Sequence, residues 1–285
     1  MRDGKIKKLA VRTISGAVYV ALMVSATFCP YLMVPLMLFI TIVALIEFYR
    51  MAGNPVDKLS RNILIAVAVV VYALTCWQPS FVKAQPLGQP FLMELLLATF
   101  VVLSVVEIFR HGEKSALNAI GTDLFAMVWI IIPLYAIKYT CYYHSLSKVI
   151  LLMFILIWLN DTFAYLGGSL FGRHKMIERI SPNKTWEGTI TGVLLTMVAS
   201  LLLGLLVMNK WDDSFTTQWY VWLFFGLMVS VFATMGDLLE SLLKRQAGVK
   251  DSGKIMPGHG GILDRMDSIL LTTYPVLFIC GLLLR

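Results

Sequence analysis

From Trp219 to Met235 no residue carries a charge, and from Ser268 to Leu284 none does either. A helix crosses bilayer hydrocarbon with about 20 mostly apolar residues. Such runs recur along the chain, at 13–29, 31–48, 62–77, 92–109, 122–137, 148–169, 187–208, 218–239 and 268–284. An open sheet edge finds no hydrogen-bond partners in lipid, so each run is expected to be a helix. The expected fold is therefore all-α, a polytopic integral membrane protein of about nine transmembrane helices. Composition agrees: 14% of residues are charged, against about 25% in a usual soluble domain. Cys29, Cys76, Cys141 and Cys280 are scattered, so neither a zinc site nor a disulfide framework is suggested.

Charge sets the expected orientation, because Lys and Arg collect on the cytoplasmic side. With the N-terminus inside, the inner segments are 1–12, 49–61, 110–117, 170–186 and 240–267. They hold 19 of the 24 Lys and Arg; Lys83, Lys138, Lys148, Lys210 and Arg285 fall outside. The basic start MRDGKIKKLAVR resembles a signal peptide, but no small-residue cleavage site stands out and the chain re-enters lipid at Tyr31. The first run is therefore expected to stay as a span. Residues 78–90, with Pro79, Pro86 and Pro90, read as an external turn. Two regions are expected: 1–150 with about five spans, and 151–285 with the inner loops 170–186 and 240–267. The net charge of +7 reads as topological, and no nucleic-acid-binding motif is present.

Carboxylates inside lipid are costly and tend to be functional. Asp161 lies in the inner half of the sixth run, and Asp237 near the inner end of the eighth. Glu187 opens the seventh run, and Asp264 and Asp267 open the ninth. These five share one depth. Glu47, Glu107 and Asp123 lie near the same level and read as surface or capping groups. Asp237, Glu240, Ser241 and Lys244 follow i, i+3, i+4, i+7 spacing, one face of a helix. Clustered carboxylates repel unless a counter-charge joins them; a divalent cation such as Mg²⁺ serves, and so do salt bridges to Lys244, Arg245 and Arg265.

The stretch Lys244–Asp267 contains five Lys and Arg and five Gly. In PGHGGILDR the glycines let backbone N–H groups turn toward an anion, and a following helix start favours negative charge. Lys244, Arg245, Lys250 and Arg265 surround it. In RISPNKTWEG, Ser181 and Thr185 are expected to cap a helix start and Lys184 to reach a phosphate. His259 reads as a hydrogen-bonding strut as readily as a base, and Asp251 as a partner of Lys250 or a turn cap.

Ser241–Asp267, SLLKRQAGVKDSGKIMPGHGGILDRMD, resembles the signature of the CTP:phosphatidate cytidylyltransferases (CDP-diglyceride synthetases). Ser241, Lys244, Arg245, Lys250, Asp251, His259, Gly260, Gly261, Asp264, Arg265 and Asp267 all meet its pattern. NDTFAYLGG, SPNKTWEG and GDLLES look similar to the family as well, so the resemblance covers about 157–270. It implies transfer of CMP from CTP to phosphatidate, giving CDP-diacylglycerol and pyrophosphate. It also implies Mg²⁺, with a second, monovalent cation left open, a homodimer, and a site facing the cytoplasm of a bacterial inner membrane. Under it Asp237 and Asp264 bind Mg²⁺, with Asp267, Asp161 and Glu187 around them. Lys244, Arg245, Lys250, Arg265 and Lys184 bind phosphates, and Gly260, Gly261, His259 and Ser241 shape the nucleotide loop. The rival readings are a CTP-dependent polyprenol or lipid kinase and a membrane transporter.

Overall fold

Cys29 has the extended backbone that a residue before proline adopts (φ −129°, ψ 96°), and Pro30 occupies the first turn of the next helix. A single residue thereby separates two long helices, α1 (Arg2–Phe28) and α2 (Pro30–Ala52). The computed structural model describes residues 2–53, 58–77, 90–108, 116–141, 144–212, 215 and 217–283. The expected external turn at 78–89, the basic segment 110–115 and Arg285 lie outside the described residues.

Beyond α2 follow α3 (Lys58–Trp77), α4 (Pro90–Ile108) and α5 (Ala116–Ala126). A π-helical segment, Met127–Ile131, joins α5 to α6 (Ile132–Thr140). The wide turns precede Pro133, which has no N–H to donate back along the helix. Helix α7 (His144–Phe171) leads to a hairpin, β1 (Lys175–Ile177) and β2 (Ser181–Thr185). Helix α8 (Trp186–Leu203) continues through a π segment to Trp211, and α9 (Trp219–Gln246) and α10 (Leu263–Leu283) complete the chain. Among the described residues six stretches are long and apolar enough to cross a membrane: Ala10–Phe28, Pro30–Ala52, Ala116–Thr140, Leu146–Phe171, Trp186–Trp211 and Trp219–Gln246. The other three expected runs coincide with α3, α4 and α10. The chain is an all-α membrane protein with one small antiparallel ribbon.

The interior lies between α2, α6, α7, α9 and α10, where Met33, Met37, Leu134, Phe154, Trp222, Phe225 and Leu270 are fully enclosed. Small residues let α8 approach its neighbours closely. A Cβ on Gly204 would collide with the Trp222 ring, one on Gly226 would lie 2.7 Å from Ser200 Cβ, and one on Gly188 2.7 Å from the Ala164 carbonyl. Helix α1 packs on α2 and α7, and α2 on α6 and α10, so the N-terminal helices join the same core.

Several expectations change. The 170–186 loop contains the β1–β2 ribbon, with Ile177 opposite Ser181 and Lys175 opposite Thr185. Ser181 thus opens a strand instead of capping a helix, while Thr185 does cap α8, accepting the Gly188 N–H at 3.2 Å. Lys138 was expected just beyond the outer end of the fifth run and Lys148 at the outer start of the sixth. Both lie inside helices and are buried: Lys138 stands over the rings of Tyr72 and Tyr135, and Lys148 pairs with Asp212 at 2.9 Å and covers Trp211. Asp123 is neither a surface group nor a cap; it is buried and accepts the Tyr49 hydroxyl at 2.5 Å. Glu47 does act as a cap, but buried and on the start of α10 instead of an end of its own helix.

Candidate active site

Helices α9 and α10 touch backbone to backbone at Gly236, where any Cβ would collide with the Asp267 carbonyl. That contact brings two acidic faces together. On α9, Asp237, Glu240, Ser241 and Lys244 follow one another along a single stripe; on α10, Asp264 and Asp267 are one turn apart. Oxygens of Asp237, Glu240 and Asp267 lie within 4.8 Å of one another. Asp267 is 9% exposed and Glu240 fully buried. The cationic partners are equally specific. Lys184 from β2 pairs with Asp237 at 2.5 Å. Lys244 lies 2.5 Å from Glu240 and donates to Asp264 at 2.8 Å.

The residues suit a divalent cation, because crowding the buried Glu240 and Asp267 against the half-buried Asp237 demands a counter-charge. Neither oxygen of Glu240 receives a well-directed hydrogen bond, although Lys244 stands beside one of them. This grouping differs from the expected metal pair, Asp237 with Asp264. Both Asp264 oxygens are engaged elsewhere: Gly261 N–H at 2.7 Å, Ser252 N–H at 3.0 and 3.3 Å, and Lys244. Asp264 orders the loop that precedes it, and Glu240 takes its place in the acidic trio.

That loop turns tightly between Met256 and Gly260, which exchange a backbone hydrogen bond of 2.9 Å. Gly258 and Gly260 have φ of +77° and +89°, a region other residues rarely adopt. Helix α1 forms the opposite wall. Ser15 donates to the Pro257 carbonyl at 3.0 Å and lies 2.7 Å from His259 Nδ1. Tyr19 donates to the Arg265 carbonyl at 3.2 Å, and Arg265 donates to the His259 carbonyl at 3.1 Å. Burial, with the Arg265 and Arg12 cations nearby, holds the His259 imidazole below its ordinary 6.5, so it is neutral at pH 7.

Two clefts flank Asp161, which is exposed between them. One, of ≈ 480 Å³, runs between Asn160, Tyr165, Asn183, Lys184, Thr185 and Asp237. The other, of ≈ 250 Å³, is bounded by Tyr19, Trp158, His259, Arg265 and Asp267. A larger cavity of ≈ 530 Å³ between α2, α5 and α9 has no ionisable group in its lining.

The structure thus gathers Asp161, Lys184, Thr185, Asp237, Ser241, Lys244, His259, Gly260, Gly261, Asp264, Arg265 and Asp267 at one end of the bundle. Ser241 donates to Asp237 at 3.5 Å. Lys250 and Asp251 lie exposed on the same loop. Arg245 donates to the Ile180 carbonyl at 3.2 Å and ties the ribbon to α9. Glu187 does not join the acidic group. Its carboxylate accepts the N–H groups of Arg173 and His174 and pairs with the His174 ring at 2.5 Å, which fixes the entry to the ribbon. Sequence reasoning passed over Glu240 as a site residue, though its spacing from Asp237 signals it. It also passed over Ser15, Tyr19 and Asn160, for which the sequence offers no signal.

The chain's likeness to known proteins extends over the same architecture. The sequence model of the cytidylyltransferase family matches residues 10–283. The phosphatidate cytidylyltransferase of Staphylococcus epidermidis is 34% identical over 240 residues, covering 82% of this chain and 85% of the relative. That of Staphylococcus haemolyticus is 33% identical over 270 residues, covering 92% and 95%, and that of Staphylococcus aureus 33% identical over 242 residues, covering 82% and 85%. A match that takes in the wall from α1, the loop and both acidic helices alike means that the chain belongs to the cytidylyltransferase family.

Proposed function

We propose that the chain transfers CMP from CTP to phosphatidate, releasing pyrophosphate, at the cytoplasmic face of a bacterial inner membrane. The observation that carries this reading is the convergence, in a member of this family, of buried carboxylates with the cations of two loops at one end of a membrane bundle. A lipid and a soluble nucleotide meet only where headgroups border water. The excess of Lys and Arg on one set of loops supports nine spans with the N-terminus inside, and on that reading the acidic end faces the cytoplasm. A homodimer is part of the proposal and follows from the family resemblance.

The nucleophile is a phosphate oxygen of phosphatidate, anionic at neutral pH, so no strong general base is required. It forms a bond to the α-phosphorus of CTP while the bond to the bridging oxygen of the β-phosphate breaks, and pyrophosphate leaves with that electron pair. The obstacle is repulsion between two polyanions. Lys184, Lys244, Arg245, Lys250 and Arg265 are assigned to the phosphates, and Gly260 and Gly261 let loop backbone approach the nucleotide. Asp237, Glu240 and Asp267 are assigned to Mg²⁺, with Asp161 beside them; the bound ion would neutralise phosphate charge as a Lewis acid. Neutral His259 serves as a hydrogen-bonding strut.

Purified protein supplied with phosphatidate, Mg²⁺ and CTP labelled at the α-phosphate is expected to move label into the lipid phase, whereas γ-labelled CTP leaves the lipid unlabelled. Lipid labelled only from the γ-phosphate would instead identify a CTP-dependent lipid kinase, and no lipid label from either would defeat both.

A further inference from the structure

The glycine loop is gripped from two sides by carboxylates, and only one of them lies in the C-terminal region. The other is Glu47, on α2 and 1% exposed. Its Oε2 accepts the Leu263 N–H at 2.8 Å and the Ser252 hydroxyl at 3.1 Å, and its Oε1 accepts the Ile262 N–H at 3.2 Å. Ile262 and Leu263 begin α10, so a negative group there satisfies helix N–H groups that have no partner of their own. The loop backbone fits closely around this carboxylate. A Cβ on Gly253 would collide with Glu47, and one on Gly261 would collide with the Ser252 hydroxyl and lie 2.5 Å from Glu47 Oε2. Gly253 and Gly261 are therefore required by the close fit around Glu47 and Ser252, whatever ligand the loop also meets.

Asp264 holds the same two points from the other side, through the N–H groups of Ser252 and Gly261. Asp264 in turn holds Lys244, which lies against Glu240. One line of hydrogen bonds, closed by the Lys244–Glu240 ion pair, thus runs from α2, through Ser252 and the start of α10, to the acidic trio. We infer that Glu47 is a positioning residue: it sets the loop and the first turn of α10 so that Asp264, Lys244 and Asp267 stand in register with Asp237. It touches neither substrate. This gives the N-terminal helices a part in the reaction, and it rests on the function proposed above.

Glu47→Gln tests it. An amide keeps the size of the side chain but offers one acceptor oxygen where the carboxylate offers two, and its NH₂ faces backbone N–H groups. The expected result in the full-length protein is a fall in kcat of about 10–100-fold. Backbone hydrogen exchange should speed up across 248–263 while α7 and α8 exchange as in the parent. Ser252→Ala removes one of three donors and is expected to give the same pattern more weakly. Adding it to Glu47→Gln should cost little more than Glu47→Gln alone, because both cut the same bond. Turnover within about twofold of the parent, or acceleration of exchange in every helix alike, would overturn the inference. If Glu47→Gln does not accumulate folded, Ser252→Ala decides: a confined rise in loop exchange with slower turnover supports the clamp, and parental behaviour refutes it. If the parent itself transfers no CMP, the proposed function fails, and loop exchange alone still decides whether Glu47 holds the loop.

Discussion

Two polar segments lie at the same end of the bundle and are ordered in opposite ways. Residues 172–185 are held mostly by partners close in sequence, the β1–β2 ladder and Glu187, which collects the N–H groups of Arg173 and His174 fourteen and thirteen residues before it, with Arg245 and Asp237 as remote contacts. The loop 247–262 has a single backbone bridge, between Met256 and Gly260. Beside the nearby Asp264, its anchors come from far along the chain, Glu47 being 205 residues from Ser252 and Ser15 242 residues from Pro257. A locally ordered ribbon keeps its shape whatever its neighbours do. A loop held by remote helices keeps its shape only when the whole bundle is assembled, so its geometry reports on the fold and passes strain directly to the acidic trio.

The sharpest way to break this comparison is at the trio itself. Asp267→Asn should lower turnover by about 10²–10³-fold or more, as loss of a group that faces transition-state charge commonly does; steady-state transfer of labelled CMP to lipid measures it. Next comes Lys244→Met, which leaves Glu240 buried without its cation. Breaking one partner of a buried pair costs about 3–5 kcal/mol. The loss should shrink when Glu240→Gln is added, in a double-mutant cycle of unfolding temperatures. Gly261→Ala, which drives a methyl group into Ser252 and Glu47, should destabilise by about 1–3 kcal/mol and slow turnover along with loop order. By contrast Arg179→Ala, exposed on the ribbon, should stay within about ±0.5 kcal/mol and leave turnover near the parent's. If Gly261→Ala and Arg179→Ala behave alike, the contrast between the two segments is wrong.

His259 gives a modest expected effect. Its imidazole is neutral in the fold because burial and the cations Arg265 and Arg12 disfavour a proton. As the folded-state value lies below the ordinary 6.5, this neutral packing contributes its full stability above that value and loses it as pH falls through the lower one. Activity should therefore decline on the acid side, and His259→Asn should flatten that limb while slowing the reaction by no more than about tenfold. A pH–rate profile of both proteins checks it.

These contrasts also explain what the sequence disclosed. Membrane spans were legible because uncharged runs of helical length leave little choice in lipid. The α9 stripe was legible because helical spacing puts Asp237 and Lys244 on one face, and by the same rule Glu240 belongs with them. The glycine loop was legible as a tight turn, yet part of its glycine content answers to Glu47. No periodicity connects residue 47 to residues 252–263, so a cap from another helix was invisible. Glu187 shows the converse: depth along a helix placed it with the acidic group, but N–H groups of the adjacent turn reach it first. Lys138 and Lys148 were read as charges at the outer ends of runs because ionic groups are expected outside lipid; aromatic rings, and Asp212 at Lys148, shelter them within helices.

The central claim is that Asp237, Glu240 and Asp267 share one cation. Crystals of the protein grown with Mn²⁺ in place of Mg²⁺ test it most directly, through the anomalous scattering of the metal. The account predicts a peak bounded by oxygens of those three residues, lost in Asp267→Asn. A peak held by other residues while this trio stays bare, or none in protein that is active with Mn²⁺, would contradict it.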